Sequence, residues 1–407
     1  MTAVTEVLAP LATTRRWQED LYVQLHQHPE LSLHETRTAA EIQRRLTDFG
    51  YDVTPVGGGI VGVLRNGDGP TVLMRADIDA LPVTERTGLP YASTDTTVDD
   101  DGNTVGLMHA CGHDVHITTL LGAAQLLATT RDPWRGTFIA LFQPAEETAA
   151  GAAAMVDAGL TDTIPRPDVA FAQHVLGYRA GHLGLIAGPM LSCADSIRIT
   201  LFGSGTHGSM PQLGVDPIVL AAAVIQRLQG IVARELPPGE RAVVTVGALN
   251  AGTKSNVIPD RATLLVNTRV YSEQTRTTVL RAIERIVRAE CEASGSPEPP
   301  TFEYYDQFPL TSNDPATTAR VRAAFEQHFG TDRVFTMDPQ SASEDFSRIP
   351  DAFGTPYTYW GLGGFPPGAQ AAPNHSPFFA PVQQPTLTAG TEAAVVAALA
   401  YLATDVR

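Results

Sequence analysis

From Ile117 onward the apolar residues Ile117, Leu120, Leu121 and Ala124 recur at i, i+3, i+4 and i+7, the period of a buried amphipathic helix. Similar patterning makes residues 3–49 helical, with a break at Pro29 and a second helix over Thr36–Phe49. Short β-type runs follow at Gly59–Leu64 and Thr71–Met74, the second leading into Arg75-Ala-Asp-Ile-Asp-Ala-Leu-Pro82. Residues 85–105 are polar and rich in Gly, Asp and Thr, which predicts a loop covering a site. Thr137–Phe142 is an unbroken apolar run, as a strand buried on both faces of a parallel sheet requires. Helix Ala149–Ala158 and strand Asp168–Gln173, ending at His174, come next.

The texture changes near Gly188-Pro189. The strand Ser196–Ser204 alternates polar and apolar residues, as a half-exposed sheet does. A helix at Asp216–Ala233, strands at Ala242–Leu249 and Ala262–Val270, a helix at Gln274–Ala293 and a strand at Phe302–Asp306 complete a β-α-β-β-α-β order, that of a ferredoxin-like sandwich. Beyond it the pattern predicts a helix at Asp314–Phe329, a strand at Pro356–Trp360 and a closing helix at Thr386–Ala403. The predicted architecture is therefore α/β: a domain with a mainly parallel sheet flanked by helices, formed by residues 1–188 and 308–407, interrupted by an inserted α+β ferredoxin-like domain at 189–307. A chain of 407 residues is long enough for two cores.

Charge narrows the partners. A formal charge of −16 argues against nucleic acid or an anionic membrane. Three dispersed cysteines, Cys111, Cys193 and Cys291, make no disulfide framework and fit a reducing compartment. The N-terminal residues lack a basic segment ahead of an apolar one, and no stretch approaches the ~20 uninterrupted apolar residues that span a bilayer. A cytoplasmic protein is expected.

The candidate chemistry sits in His109-Ala-Cys-Gly-His-Asp-Val-His116, at the N-terminal end of the helix predicted from Ile117 onward. Cys111 and His113, two residues apart, can aim a thiolate and an imidazole at one ion, a pair that suits zinc or a neighbouring transition metal. Taken alone, a cysteine is more often a small buried hydrophobe. Strand ends add Asp77, Asp79, Glu146, Glu147 and His174, and His375 lies in a loop between two prolines, where function is commoner than packing.

Taken in order, several stretches resemble the amidohydrolase and aminoacylase branch of the co-catalytic metallopeptidase family, which includes hippurate hydrolases and auxin-conjugate hydrolases. They are His26-Gln-His-Pro-Glu-Leu-Ser32, Met74–Pro82, Met108-His-Ala-Cys-Gly-His-Asp114, Gln143-Pro-Ala-Glu-Glu147, Ala172-Gln-His174, Gly205–Pro211, Asn256-Val-Ile-Pro259, Ser343-Glu-Asp-Phe346 and Asn374-His-Ser376. An ordered set of this kind is far more specific than any one motif. The resemblance implies that Cys111, His113, Glu147, His174 and His375 hold one or two divalent ions, zinc first, with manganese, cobalt or nickel as alternatives. It implies that Glu146 is the general base for a water activated by the metal, with Asp79 and Asp114 behind the ligands. It further makes the inserted domain a lid and dimerisation domain whose His207 stabilises the oxyanion in a partner subunit's site, with closure of the domains completing it. Asn256 and Arg269 would hold the substrate carboxylate. The activity implied is hydrolysis of N-acyl amino acids. A dipeptidase or carboxypeptidase with the same centre is the alternative, and a non-catalytic binding protein a weaker one. Two departures stand out: Gln212 where relatives commonly carry histidine, and Thr148-Ala-Ala150 where they carry glycines.

Overall fold

The computed structural model describes residues 2–98 and 102–404, so residues 99–101 of the polar 85–105 stretch lie outside it. The chain forms two compact units. One comprises Met1–Met190, Ser312–Pro339 and Asp345–Arg407, the other Leu191–Thr311 and Gln340–Glu344.

The first unit is built on an eight-stranded sheet in the order Asp52–Val56, Gly59–Asn66, Gly136–Gln143, Thr71–Asp77, Val169–Arg179, Tyr357–Phe365, Leu183–Leu185, Val334–Thr336. Its four central strands run parallel, the mainly parallel α/β sheet that the apolar runs predicted. Strand periodicity divides their side chains. Val72, Met74, Ala76, Phe138, Ala140 and Phe142 join the helices in the core, while the alternate positions include Arg75, Asp77 and Gln143, all fully buried. Arg75 is tolerated there because it donates to Asp77 (2.7 Å) and Gln143 (2.9 Å).

Helix His113–Thr129 starts four residues before Ile117, so His113, Asp114 and His116 occupy its first turn, while Cys111 lies in the turn that leads into it. It is not amphipathic. Residues 113–124 are all buried, because helices Leu11–Gln27 and Gln383–Leu402 pack over it while it contacts the sheet. Gln383–Leu402 is long and apolar enough to cross a membrane by length and composition, as is Pro217–Arg234, but 72% of Gln383–Leu402 is buried inside its unit. The strand expected to stop at Gln173 continues to Arg179, because it remains paired with Tyr357–Phe365. His174 therefore lies within a strand. Asp52–Val56, Leu183–Leu185 and Val334–Thr336 were too short or too polar to show a period, and pairing with neighbours makes them strands.

The second unit has a four-stranded antiparallel sheet, Ala242–Ala251, Arg261–Val270, Cys193–Phe202, Thr301–Phe308, in that spatial order. Ile197, Ile199, Leu201, Leu264 and Val266 form its core with helices Pro217–Leu228 and Glu273–Ala293. Asp216 caps the first helix through the amides of Ile218 and Val219, and Ser272 caps the second through Thr275. The connection order is the β-α-β-β-α-β of the ferredoxin-like expectation.

Candidate metal centre

The polar residues gather at the carboxyl ends of the central strands, the edge at which open α/β sheets bind ligands. Asp77 ends the strand Thr71–Asp77, and Glu146 and Glu147 follow Gly136–Gln143. Gly112 opens the helix that carries His113 at φ +81°, and a Cβ built there would stand 2.3 Å from Val175 Cγ1. Only glycine fits between Cys111 and His113.

His113 and His174 are each held through one ring nitrogen, and His375 through its backbone amide. His113 Nδ1 donates to the Asp79 carbonyl at 2.8 Å and lies 3.2 Å from Asp79 Oδ1. Both partners are acceptors, so the neutral ring keeps its proton on Nδ1 and carries its lone pair on Nε2. Nε2 is buried without a hydrogen-bond partner, with Asp77 Oδ2, Glu147 Oε1 and Glu146 Oε2 at 3.7, 3.8 and 3.9 Å. Glu147 Oε1 is buried and unpartnered too. His174 Nδ1 donates to the Val175 carbonyl at 2.8 Å, which leaves Nε2 at 3.3 Å from Cys111 Sγ. His375 Nε2 stands 3.2 Å from Glu147 Oε2. Its backbone adopts φ +69°, its amide donates to the Ala110 carbonyl at 2.8 Å, and Asn374 Nδ2 donates to the Val175 carbonyl at 3.3 Å. The loop is thereby tied to both neighbouring segments.

Three overlapping donor sets result: Cys111, His113 and His174; Cys111, Glu147 and His375; His113, Glu146 and Glu147. Within each set the donor atoms lie within 4.8 Å of one another. A thiolate, imidazoles and carboxylates suit a zinc-type cation, and the orphaned lone pairs of His113 and Glu147 are what such a cation satisfies. The local field agrees. Burial opposes charge on His113, but Asp77 and then Asp79 outweigh it and push its pKa up to about 10. Burial, then Glu147 and Glu146, push the Cys111 thiol well above its ordinary value, and burial, then His116, push His174 well below its own.

The residues behind the cluster divide unevenly. Asp79 Oδ2 accepts from the Glu147 amide (3.0 Å) and from Ser32 Oγ (2.7 Å), so one carboxylate braces both His113 and Glu147. Asp114 does not bond to a histidine of the cluster. Its Oδ2 takes His26 Nδ1 at 2.7 Å, and His26 Nε2 reaches Glu85 Oε1 at 3.2 Å. Burial opposes charge on His26, yet the hydrogen bonds to Asp114 and Glu85 push its pKa up to about 10. The start of the 85–105 loop is pinned by that buried pair.

The turn carrying Glu146 is held in an unusual conformation. Ala145 has φ +47° and its amide donates to Glu35 Oε1 at 2.7 Å; Ala149 has φ +56°. The departure at Thr148-Ala-Ala150 thus puts an alanine at a left-handed position that glycine would occupy without strain, at a cost of about 1–2 kcal/mol. In the second unit His207 is exposed, and its Nδ1 accepts from the Ser209 amide at 3.1 Å, which places its proton on Nε2. Asn256 adjoins it, its carbonyl accepting from the Gly208 amide at 2.8 Å. Arg269 lies on the sheet and donates to Ser343 Oγ (2.6 Å) and Asn267 Oδ1 (3.2 Å).

Sequence reasoning left Asp77, His116, Asn374, Ser32 and Glu35 without roles. For His116 a signal existed: three residues after His113 on a helix, it shares that face.

Residues 73–400 match the model of peptidase family M20/M25/M40, and the chain belongs to that family of hydrolases. It is 35% identical to an N-acetyl-L-cysteine deacetylase of Bacillus subtilis over 84% of this chain and 79% of that protein. It is 36% identical to the hippurate hydrolase of Campylobacter jejuni over 81% and 83%. The crystal structure of a dinuclear metal-binding M20 peptidase from Bacillus subtilis superimposes with a TM-score of 0.78 at 28% identity, covering 95% of this chain and 98% of that one.

Proposed function

We propose that this protein is a metal-dependent amidohydrolase that cleaves the amide of N-acyl amino acids, releasing a carboxylic acid and a free amino acid. The observation that carries the reading is the convergence of Cys111, His113, Glu147, His174 and His375 beside Glu146. These five residues hold one or two divalent ions, with zinc favoured by the thiolate and imidazoles. When bound, the metal polarises the amide carbonyl and acidifies water.

The protein's own groups do the rest. Glu146, buried beside His113 Nε2, takes the proton from the attacking water and passes it to the departing nitrogen. Asp79 keeps the proton on His113 Nδ1 and fixes the Glu147 backbone. His207 presents an Nε2 proton suited to an oxyanion. Asn256 and Arg269 bind the substrate carboxylate, for which the guanidinium offers two parallel donors. The family resemblance and the relatives named for N-acyl substrates support this choice. Purified protein with Zn²⁺, Mn²⁺ or Co²⁺ is expected to release amino acid from N-acetyl and N-benzoyl amino acids and to leave dipeptides with a free amine nearly untouched. Preference for the dipeptides would defeat the reading.

We further propose that residues 1–188 and 308–407 form the catalytic domain and residues 189–307 a lid that dimerises. Met210, Leu213, Val219, Val243, Leu249 and Val257, all in the second unit, are 41–68% exposed. Ala242–Ala251 is moreover a ten-residue edge strand. Exposed apolar side chains and an open strand edge are features that a second copy covers. Val219→Arg is expected to convert a dimer into a monomer by sedimentation and to lose most activity. A wild-type protein that sediments as a fully active monomer would refute the dimer. Three buried free cysteines support a cytoplasmic setting.

A further inference from the structure

His116 lies among the candidate ligands, and with Asp77 and His113 it forms a fourth group whose donor atoms lie within 4.8 Å of one another. Both of its ring nitrogens are nevertheless committed. Nε2 accepts the backbone amide of Val175 at 2.8 Å, so it carries no proton and its lone pair is used. Nδ1 therefore holds the proton and donates it to Asp77 Oδ1 at 2.5 Å. The other oxygen of Asp77 receives Arg75 Nη1 at 2.7 Å, and all three side chains are essentially fully buried. The imidazole of His116 also meets that of His174 edge-on, with ring centroids 4.6 Å apart.

Resting on the metal-centre reading above, we propose that His116 is not a ligand but the positioning residue for His174. It grips the strand at the residue following His174 and packs against the His174 ring. Val175 also supplies the carbonyl that takes His174 Nδ1–H, so one peptide segment is held by His116 and in turn sets the tautomer of His174. Arg75 and Asp77 form the fixed end of this chain. A buried arginine oriented by Gln143 as well as Asp77 holds the carboxylate in place, and the carboxylate holds the Nδ1 proton of His116. Without the grip on Val175, the strand at His174 is free to rotate its ring away from Cys111, and the metal loses an imidazole.

His116→Phe keeps the ring and its contact with His174 but removes both hydrogen bonds. His116→Gln can restore both, accepting from Val175 through its side-chain oxygen and donating to Asp77 through its nitrogen. The measurement is metal Kd by chelator competition, with the Co²⁺ absorption spectrum as a readout independent of activity. His116→Phe is expected to weaken metal binding roughly 10–100-fold, the usual loss when a partner behind a ligand is removed, and to alter the Co²⁺ spectrum. His116→Gln should recover to within a few-fold of wild type. Unchanged Kd and spectrum in His116→Phe overturn the proposal. So does a loss in both variants equal to that of His174→Ala, which makes His116 itself a ligand. Selective ¹⁵N-histidine labelling of the wild-type protein tests the same point without a variant: His116 should show the Nδ1–H tautomer with and without Zn²⁺, and an Nε2–H tautomer overturns it. Wild-type protein that takes up no divalent cation defeats the metal-centre reading itself, and this inference with it.

Discussion

Glu146→Gln is expected to lower kcat by roughly 10²–10⁴-fold, the range that a positioned acid–base contributes, while metal content and KM stay near those of wild type. The exchange preserves volume at a site that is 5% exposed and replaces an accepting oxygen by an amide nitrogen, so it removes the proton acceptor without emptying the space. Glu146 and Glu147 are adjacent, but they serve different atoms. Glu147 reaches His375 at 3.2 Å and leaves a buried oxygen without a hydrogen bond, whereas Glu146 Oε2 stands 3.9 Å from His113 Nε2. A variant that keeps wild-type kcat shows that another group takes the proton. A variant that loses its metal instead shows that Glu146 is a ligand.

The second large effect is expected from His113→Ala. This change should cost metal affinity more than the roughly 10–100-fold that follows loss of an outer partner, and activity should fall with it. His113 Nε2 faces three carboxylate oxygens at 3.7–3.9 Å, so its removal takes a donor from two of the overlapping sets. The same variant reports on stability. A ligand at a hundred times its Kd stabilises the folded state by about 2.7 kcal/mol, so excess Zn²⁺ should raise the thermal midpoint of wild type and not that of His113→Ala. Equal shifts in the two proteins would mean that the ion binds elsewhere. Chelation of wild type should reproduce the variant's loss of activity, and added metal should reverse it.

Much of this was written in local pattern. The runs Thr71–Met74 and Thr137–Phe142 carried the parallel sheet because strands buried on both faces must be continuously apolar. The alternation around Ser196–Ser204 carried the second sheet for the converse reason. Cys111, His113, Glu146, Glu147, His174 and His375 were legible as candidates because the local pattern puts each reactive side chain at a strand end, a helix start or a proline-bounded loop, although His174 proves to lie within its strand. The reading failed where neighbours, not period, decide the outcome. Helix His113–Thr129 seemed amphipathic because its small residues do not reveal that two helices and a sheet enclose it. The local pattern ends the strand from Asp168 at Gln173, before His174, because nothing in residues 175–179 reveals the continued pairing with Tyr357–Phe365.

The sequence by itself determined which chemistry was present: a thiolate, imidazoles and carboxylates at strand ends, in two differently patterned regions of one chain. Only the tertiary structure decided what each polar group does. Asp114 and Asp79 looked alike in sequence, yet Asp79 meets His113 and Glu147 while Asp114 is spent on His26, 88 residues away. His113 and His116 share a helix face, yet one keeps a bare nitrogen and the other has both occupied. Hydrogen-bond partners distant in the chain make that difference. A local pattern sets where a side chain points, but not which donor or acceptor it meets there.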